Sequence, residues 1–496
     1  MTTTADLPSL GRRITVGVFM AALLAPAVAV GASGQVRSTV STVVADPASW
    51  QEESNRLRAA TPLWNGGVAT YSTLLYLSGT SSNEGVGVVG RDGWMFLGDF
   101  ANANMAQATS RRVLSTQEAD AWAAVVSEQR EWLATRGIPM VVVVGPAKWS
   151  VYPEKLPAWA ADERTTSSFD VVQETHPELD LVDLRPALRE AGQEHDTYSR
   201  LNSHWTDYGA YVGWRELAGR IDDALPGATM VVPGLEGVGS RDDGPNEFDS
   251  MMGVRAPNPW TYPELTAPLP DVAMVEDDGT SRTVPGDTET ALLDLPTETR
   301  STRAGNDLTA LVLRDSMGDA LSPYLQASFG RTVQVRHNVD DPAAAPNLQA
   351  WVEETQPDVV VFEMAERHFN SPLQDLESWH AANLFDRADA SREAGWATAT
   401  GAAGVEVTGD LGTDGSTRVG WAPGSGGDQV LRIGARSAGA CRLTVALPDG
   451  SERALRVASG GNVLFAAVPA GTSSLELRTD CGQGLELDAV AVRPSR

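Results

Sequence analysis

Ser316 and His204 are the two side chains of this sequence best suited to nucleophilic chemistry. Ser316 ends the tripeptide Arg314-Asp315-Ser316 directly after the apolar run Thr309 to Leu313, and Gly318 follows two residues on. A serine at a strand-to-helix turn presents its hydroxyl above a sheet, and the amides that open the helix, Gly318 included, face any oxyanion formed there. The position suits a helix N-cap equally well, so the tripeptide alone supports either role. His204 lies in Asn202-Ser203-His204-Trp205-Thr206, just ahead of an amphipathic stretch. Acyl transfer at a hydroxyl needs an imidazole that takes the serine proton and returns it, and His204 is the candidate base. The other five histidines, at positions 176, 195, 337, 368 and 380, lack so defined a setting. No second histidine stands at ligand spacing from His204, so neither a metal nor a cofactor is expected.

Lys148 and Arg367 fall at predicted strand ends, where they either hold substrate and steady an oxyanion or pair with Glu154, Glu363 and Glu366 at the surface. Trp205, beside the base, either stacks on a sugar ring or fills the core. With 38 Lys and Arg against 65 Asp and Glu, the net charge of −27 repels a phosphate backbone, which excludes nucleic acid as a partner. An anionic glycan would be repelled too, unless a basic groove such as Arg314, Arg336 and Arg367 overrides the average.

These residues need elements to position them. Ser115 with Glu118 three residues on is a capping box, and Ala119, Trp122, Val125, Val126 and Leu133 follow at helical spacing up to Gly137. Met140 to Val144 is a continuous apolar run, the pattern of a strand covered on both faces. The alternation continues with a strand at Leu179 to Leu184, a helix at Thr206 to Leu225, the strand at Thr309 to Leu313, and a helix around Ala320 to Phe329. A strand at Val333 to Arg336, a helix around Leu348 to Glu354 and a strand at Asp358 to Glu363 complete it. Such alternation predicts an α/β fold, a parallel sheet with helices on both faces.

Four domain-level segments follow. Residues 1–34 carry Arg12 and Arg13 before the apolar stretch Ile14 to Ala32, which predicts an export signal, either cleaved or kept as a membrane anchor, and an extracytoplasmic protein. Residues 35–90 read as a stalk or lead-in. The α/β domain spans 91–390, with the Gly-, Pro- and acid-rich stretch 226–305 as an insertion that is either a lid or an inert excursion. Residues 395–496 hold short alternating strands that predict a β-sandwich, resembling a jelly-roll carbohydrate-binding module or serving as a packing domain. Cys441 and Cys481, the only cysteines, fit a disulfide within that domain in an oxidising compartment.

Several motifs resemble one family in order. Arg91-Asp92-Gly93-Trp94-Met95-Phe96-Leu97, Pro146-Ala147-Lys148 with Val151 to Pro157, and Ser203-His204-Trp205-Thr206 with Gly209-Ala210 come first. Arg314-Asp315-Ser316 with Pro323-Tyr324-Leu325, and Glu363 to Arg367, follow. Together they resemble the SGNH-hydrolase-like proteins of the alginate O-acetyltransferase (AlgX/AlgJ-like) type, in which the histidine motif precedes the serine. The resemblance, over roughly residues 91 to 380, implies acetyl transfer to hydroxyls of an exported polysaccharide through acetyl-Ser316. It also implies a membrane-bound O-acyltransferase that supplies the acetyl group.

The family motif has aspartate where this chain has Asn202. An amide orients an imidazole but does not stabilise imidazolium. Three expectations stand side by side: a slow transferase served by Asn202, another carboxylate such as Asp207, Asp196 or Asp315 supplying the charge, or a catalytically silent glycan-binding or scaffold subunit of a polysaccharide modification or export assembly. An acetyl esterase differs only in using water as acceptor.

Overall fold

The computed structural model describes residues 62–276, 278–301, 303–373, 375–390, 405–408, 415–421 and 428–494, together with Thr42. The apolar stretch 14–32 lies outside the described residues, and no described helix is long and apolar enough to cross a membrane.

Strands β1 (Gly87–Val89) and β2 (Met95–Leu97) form a hairpin, and β3 (Met140–Gly145) and β4 (Val182–Asp183) follow in the main sheet. A second hairpin, β5 (Leu235–Arg241) and β6 (Trp260–Leu265), precedes β7 (Val272–Val275), β8 (Ser281–Val284) and β9 (Thr297–Arg300). The sheet is completed by β10 (Thr309–Arg314), β11 (Arg331–Arg336) and β12 (Val359–Ala365), in the spatial order β4-β3-β12-β10-β11-β9-β7-β8. The first five are parallel, and β9, β7 and β8 add an antiparallel edge.

Alternate side chains of the parallel strands leave on opposite faces, and both faces are buried. Val141, Val143, Val312, Val359 and Val361 pack against Tyr211, Trp214, Leu217 and Ile221 of the helix Asp207–Ala224. Val142, Val144, Leu311, Leu313 and Phe362 pack against Trp122, Val126 and Leu133 of the helix Thr116–Ala134 and against Trp379 and Phe385 of the helix Leu376–Ala390. The capping box is present: Ser115 Oγ accepts the Glu118 N–H, and Glu118 Oε2 accepts the Ser115 N–H at 2.8 Å. Gly137, at φ +71°, takes the left-handed turn that ends this helical segment.

The sheet departs from the sequence reading in three places. Of Leu179 to Leu184 only Val182 and Asp183 pair, because Leu179 closes a short 3-10 turn and Asp180 is left-handed at φ 45°. The insertion supplies β7, β8 and β9 to the main sheet. Edge strands such as Thr297-Glu298-Thr299-Arg300 have too little apolar content to register as strands. The lead-in also contains structure: the helix Pro62–Leu77 anchors Tyr76, whose hydroxyl donates to the Gly93 carbonyl at 2.8 Å.

The C-terminal region is antiparallel throughout its described strands. They are β13 (Val405–Thr408), β14 (Ser416–Trp421), β15 (Gln429–Ser437), β16 (Cys441–Ala446), β17 (Glu452–Val457), β18 (Gly460–Val468), β19 (Ser474–Thr479) and β20 (Leu485–Pro494). Two sheets, β13-β14-β19-β16-β17 and β18-β15-β20, enclose Leu431, Ile433, Leu443, Val445, Leu464 and Leu477. Cys441 and Cys481 are disulfide-bonded. The outer face of the smaller sheet gives Val430, Val463 and Phe465 to the core beneath the α/β sheet, with Phe465 edge-on to Phe385 at 5.5 Å.

Candidate active site

Strand β10 runs between β11 and β12 and ends at Arg314, so Asp315 and Ser316 emerge at the carboxyl end of the sheet's centre. Asp315, rather than Ser316, caps the following 3-10 turn Ser316–Leu321, its Oδ1 accepting the Met317 N–H at 2.8 Å. Ser316 is therefore relieved of the capping role. Among the described residues no intrachain acceptor takes its N–H. The Gly318 N–H is closed into the turn, on the Asp315 carbonyl at 3.2 Å.

His204 Nε2 lies 2.8 Å from Ser316 Oγ, and Nδ1 lies 2.9 Å from Asn202 Oδ1. The amide orientation of Asn202 is decided by its other end, where Nδ2 donates to the Pro245 carbonyl at 3.1 Å, a group that can only accept. Oδ1 therefore faces the imidazole and accepts from Nδ1–H and from the His204 N–H at 3.0 Å. The neutral imidazole then carries its proton on Nδ1 and turns the Nε2 lone pair toward Ser316 Oγ–H, the tautomer a general base requires.

The loop bearing His204 is held from several directions. Lys148, 4% exposed, donates from Nζ to the carbonyls of Ser199, Arg200 and Asn202 at 3.0, 3.1 and 2.7 Å. Burial lowers its pKa to about 7, opposed by the charge of Glu247. Met95 of β2 donates its N–H to the Arg200 carbonyl at 2.9 Å, and the Tyr152 hydroxyl accepts the Thr197 N–H at 2.8 Å. Glu366, following β12, accepts from the Ala147 N–H at 2.9 Å and from Ser150 Oγ, and so ties the segment bearing Lys148 to the sheet.

Beneath Ser316 is a buried acid pair. Asp315 Oδ2 accepts the Ala365 N–H at 2.8 Å and lies 3.3 Å from His368 Nε2 and 3.6 Å from His337 Nε2. Burial opposes its charge, but the hydrogen bonding and charge of the two histidines hold it well below the usual carboxylate range. Glu363, whose Oε2 accepts the Asp315 N–H at 3.2 Å, is pushed far up by burial and by the Asp315 charge. Asp315 thus braces the turn from below and faces away from His204.

Several sequence-level assignments change. Trp205 is 1% exposed and packs in the core against Gly209 and Gly213, so it offers no face to a sugar. The ammonium of Lys148 is spent on loop carbonyls rather than on substrate. Arg314 is fully buried, bonding Gln334 Oε1 at 2.7 Å, the Asp315 carbonyl at 3.0 Å and Asp319 Oδ1 at 2.5 Å, and so cannot line a basic groove. Gly318 packs against the Arg314 side chain and its amide is taken. Asp207 has Trp260 and Arg241 as neighbours, burial raising its pKa, and Asp196 lies in the field of Arg200 and Lys155. Arg367 is half-buried just after β12, and among the described residues its guanidinium makes no hydrogen bond or ion pair.

Two residues that sequence reasoning passed over come from the insertion. Glu247, first in the helix Glu247–Met252, accepts from the Ser203 N–H and from Ser203 Oγ at 3.0 Å, and its Oε2 lies 3.7 Å from His204 Nδ1. Asn258, buried, accepts the Leu201 N–H at 2.9 Å and donates to Ser199 Oγ at 3.1 Å and the Pro245 carbonyl at 2.7 Å. The one local signal is Asn246 with Asp249, a capping pair that marks a helix start; nothing in it points to residue 204.

The family model described as an SGNH hydrolase-like domain, acetyltransferase AlgX, matches residues 88–234. The probable alginate O-acetylase AlgJ of Pseudomonas aeruginosa is 31% identical over 165 residues, 32% of this chain and 39% of that protein. Its namesake in Pseudomonas syringae pv. tomato is 29% identical over 147 residues, 28% of this chain and 34% of the relative. The aligned part of the chain thus spans less than half the length of these curated relatives. The solved structure of Pseudomonas aeruginosa AlgX superposes with a TM-score of 0.50 at 15% identity, covering 86% of this chain and 99% of that one. The central domain thus has an α/β fold similar to that of AlgX, and part of its sequence is similar to the SGNH hydrolase-like AlgX model and to AlgJ.

Proposed function

We propose that this protein is an extracytoplasmic O-acetyltransferase that acylates hydroxyls of an exported or cell-surface polysaccharide through an acetyl-serine intermediate on Ser316. The observation that carries the reading is the line Asn202 Oδ1, His204 Nδ1, His204 Nε2, Ser316 Oγ, with hydrogen-bond distances of 2.9 and 2.8 Å. Ser316 Oγ attacks the acetyl carbonyl of the donor while its proton passes to His204 Nε2. The oxyanion faces the free Ser316 N–H, and collapse of the intermediate returns the proton to the departing donor oxygen. A glycan hydroxyl then attacks acetyl-Ser316 and gives its proton to Nε2. The serine oxygen leaves with that proton, and the new ester departs. Arg367, the free guanidinium after β12, is assigned to substrate.

An exported domain has no access to cytoplasmic acetyl donors, so the donor is delivered by a membrane-bound O-acyltransferase, with residues 14–32 as export signal or anchor. The names of the relatives, alginate O-acetylases and an acetyltransferase, support the reaction class. Asn202 favours a second reading, a silent glycan-binding subunit. The full-length protein in mild detergent, given a chromogenic acetyl ester and a neutral polysaccharide, separates them. Acetyl appearing on the polysaccharide supports the transferase, free acetate alone indicates an esterase, and no chromophore release from folded protein leaves the binding reading.

A further inference from the structure

The transferase reading leaves a physical deficit at His204, since the neutral amide of Asn202 gives no electrostatic support to the imidazolium formed in each half-reaction. We propose that Glu247 supplies that charge, so that the work of one triad carboxylate is divided here: Asn202 orients the ring and Glu247 stabilises its protonated form. The inference rests on the transferase reading of Ser316 and His204.

Glu247 is built into position. Its backbone N–H donates to the Leu201 carbonyl at 3.1 Å, and the Asn246 side chain caps its helix. Its two carboxylate oxygens accept the N–H and the hydroxyl of Ser203, contacts that hold it toward the ring. Oε2 lies 3.7 Å from His204 Nδ1, too long for a hydrogen bond but close for Coulomb attraction, and the carboxylate is only 14% exposed against 29% for the imidazole. Glu247 is therefore a positioning residue: its side chain meets Ser203 and the His204 ring, not Ser316, and acts through His204.

The rival acids are engaged elsewhere. Asp315 is bound to the Met317 and Ala365 amides and faces His337 and His368. Asp319, which also feels His204, is paired with the Arg314 guanidinium at 2.5 Å. Lys148, a buried cation in the field of Glu247, faces three carbonyls with its ammonium. An aspartate at position 202 would bring a second carboxylate to a ring nitrogen that Glu247 already serves, and like charges so placed oppose one another. Asparagine at 202 is then a complement to Glu247 rather than a lesion.

The test is a four-member set in the full-length protein: wild type, E247Q, N202D and N202D/E247Q, each assayed for kcat/KM on a chromogenic acetyl ester. Removing an opposite charge this close to the imidazolium formed in the reaction should cost E247Q about 10-fold or more in kcat/KM. N202D alone gives no gain, whereas N202D/E247Q recovers the rate. E247D, which keeps the charge and withdraws it by one methylene, loses less than E247Q and serves if E247Q does not fold. Wild-type kcat/KM in E247Q, no recovery in N202D/E247Q, or a large gain from N202D alone, would overturn the proposal. Absence of Ser316 acylation in the wild type would instead sink the transferase reading beneath it.

Discussion

At the scale of single residues, His204, the proposed base, depends on partners that carry no chemistry themselves. Pro245 has no N–H and offers only its carbonyl, and that carbonyl decides which end of Asn202 meets His204. Lys148 decides where the backbone of Asn202 lies, through three carbonyl bonds made from a buried position. Lys148→Met keeps the aliphatic volume and strands those acceptors, so it should cost about 2–4 kcal/mol of stability, readable by denaturant titration, and lower esterase activity with it. A variant of wild-type stability would show that the carbonyls find water instead. Ser316 and His204 could be picked out from sequence because a serine after a buried strand and a histidine before an amphipathic helix are local patterns. Glu247 and Trp205 could not be assigned that way. The first reaches His204 from 43 positions along the chain, beyond a helix and a strand, and the second differs from a sugar platform only in what covers it.

Elements convert these contacts into a site. The five sequence motifs are far apart in the chain, yet each meets the same end of the sheet: β2 holds Arg200, the Lys148 segment holds the loop, Glu366 holds that segment, and β10 delivers Ser316. The turn bearing Ser316 is tight because Gly318 lies against Arg314, where a Cβ would come within 2.4 Å of Cδ and 3.1 Å of Cβ. That arginine cannot swing aside, since its guanidinium is bonded to Gln334, Asp315 and Asp319. Gly318→Ala should therefore overpack the turn at a cost of about 1–3 kcal/mol and lower kcat by displacing Ser316, with KM for a small ester little changed. Unaltered kcat would mean that the turn is softer than its packing indicates. The parallel strands were legible because burial on both faces leaves uninterrupted Val and Leu runs. Strands β7 to β9 were not, because an edge needs few apolar residues and its pairing is decided by the neighbouring strand.

Across the whole molecule, the β-sandwich is docked rather than tethered. Val430, Val463 and Phe465 share the core of the α/β domain, Arg432 pairs with Glu353 at 2.7 Å, and Asn347 donates to the Val463 carbonyl at 3.1 Å. The Cys441–Cys481 bond, spanning a sequence separation of 40, lies within the sandwich and away from Ser316. Closing a loop of that length contributes about 4 kcal/mol in the chain-entropy account. Reduction should then lower the melting temperature while leaving small-ester turnover below the melt unchanged; parallel loss of both would show that the sandwich also braces the site. The net charge of −27 belongs to this scale as well, and under the proposed function it disfavours an anionic glycan.

Mass spectrometry of the full-length protein, quenched during turnover of a chromogenic acetyl ester, reads the acyl-serine itself. Acetyl on Ser316 is expected in the wild type, lost in S316A and strongly reduced when His204 is replaced. Folded wild-type protein that neither releases chromophore nor carries acetyl on Ser316 would contradict the proposed function.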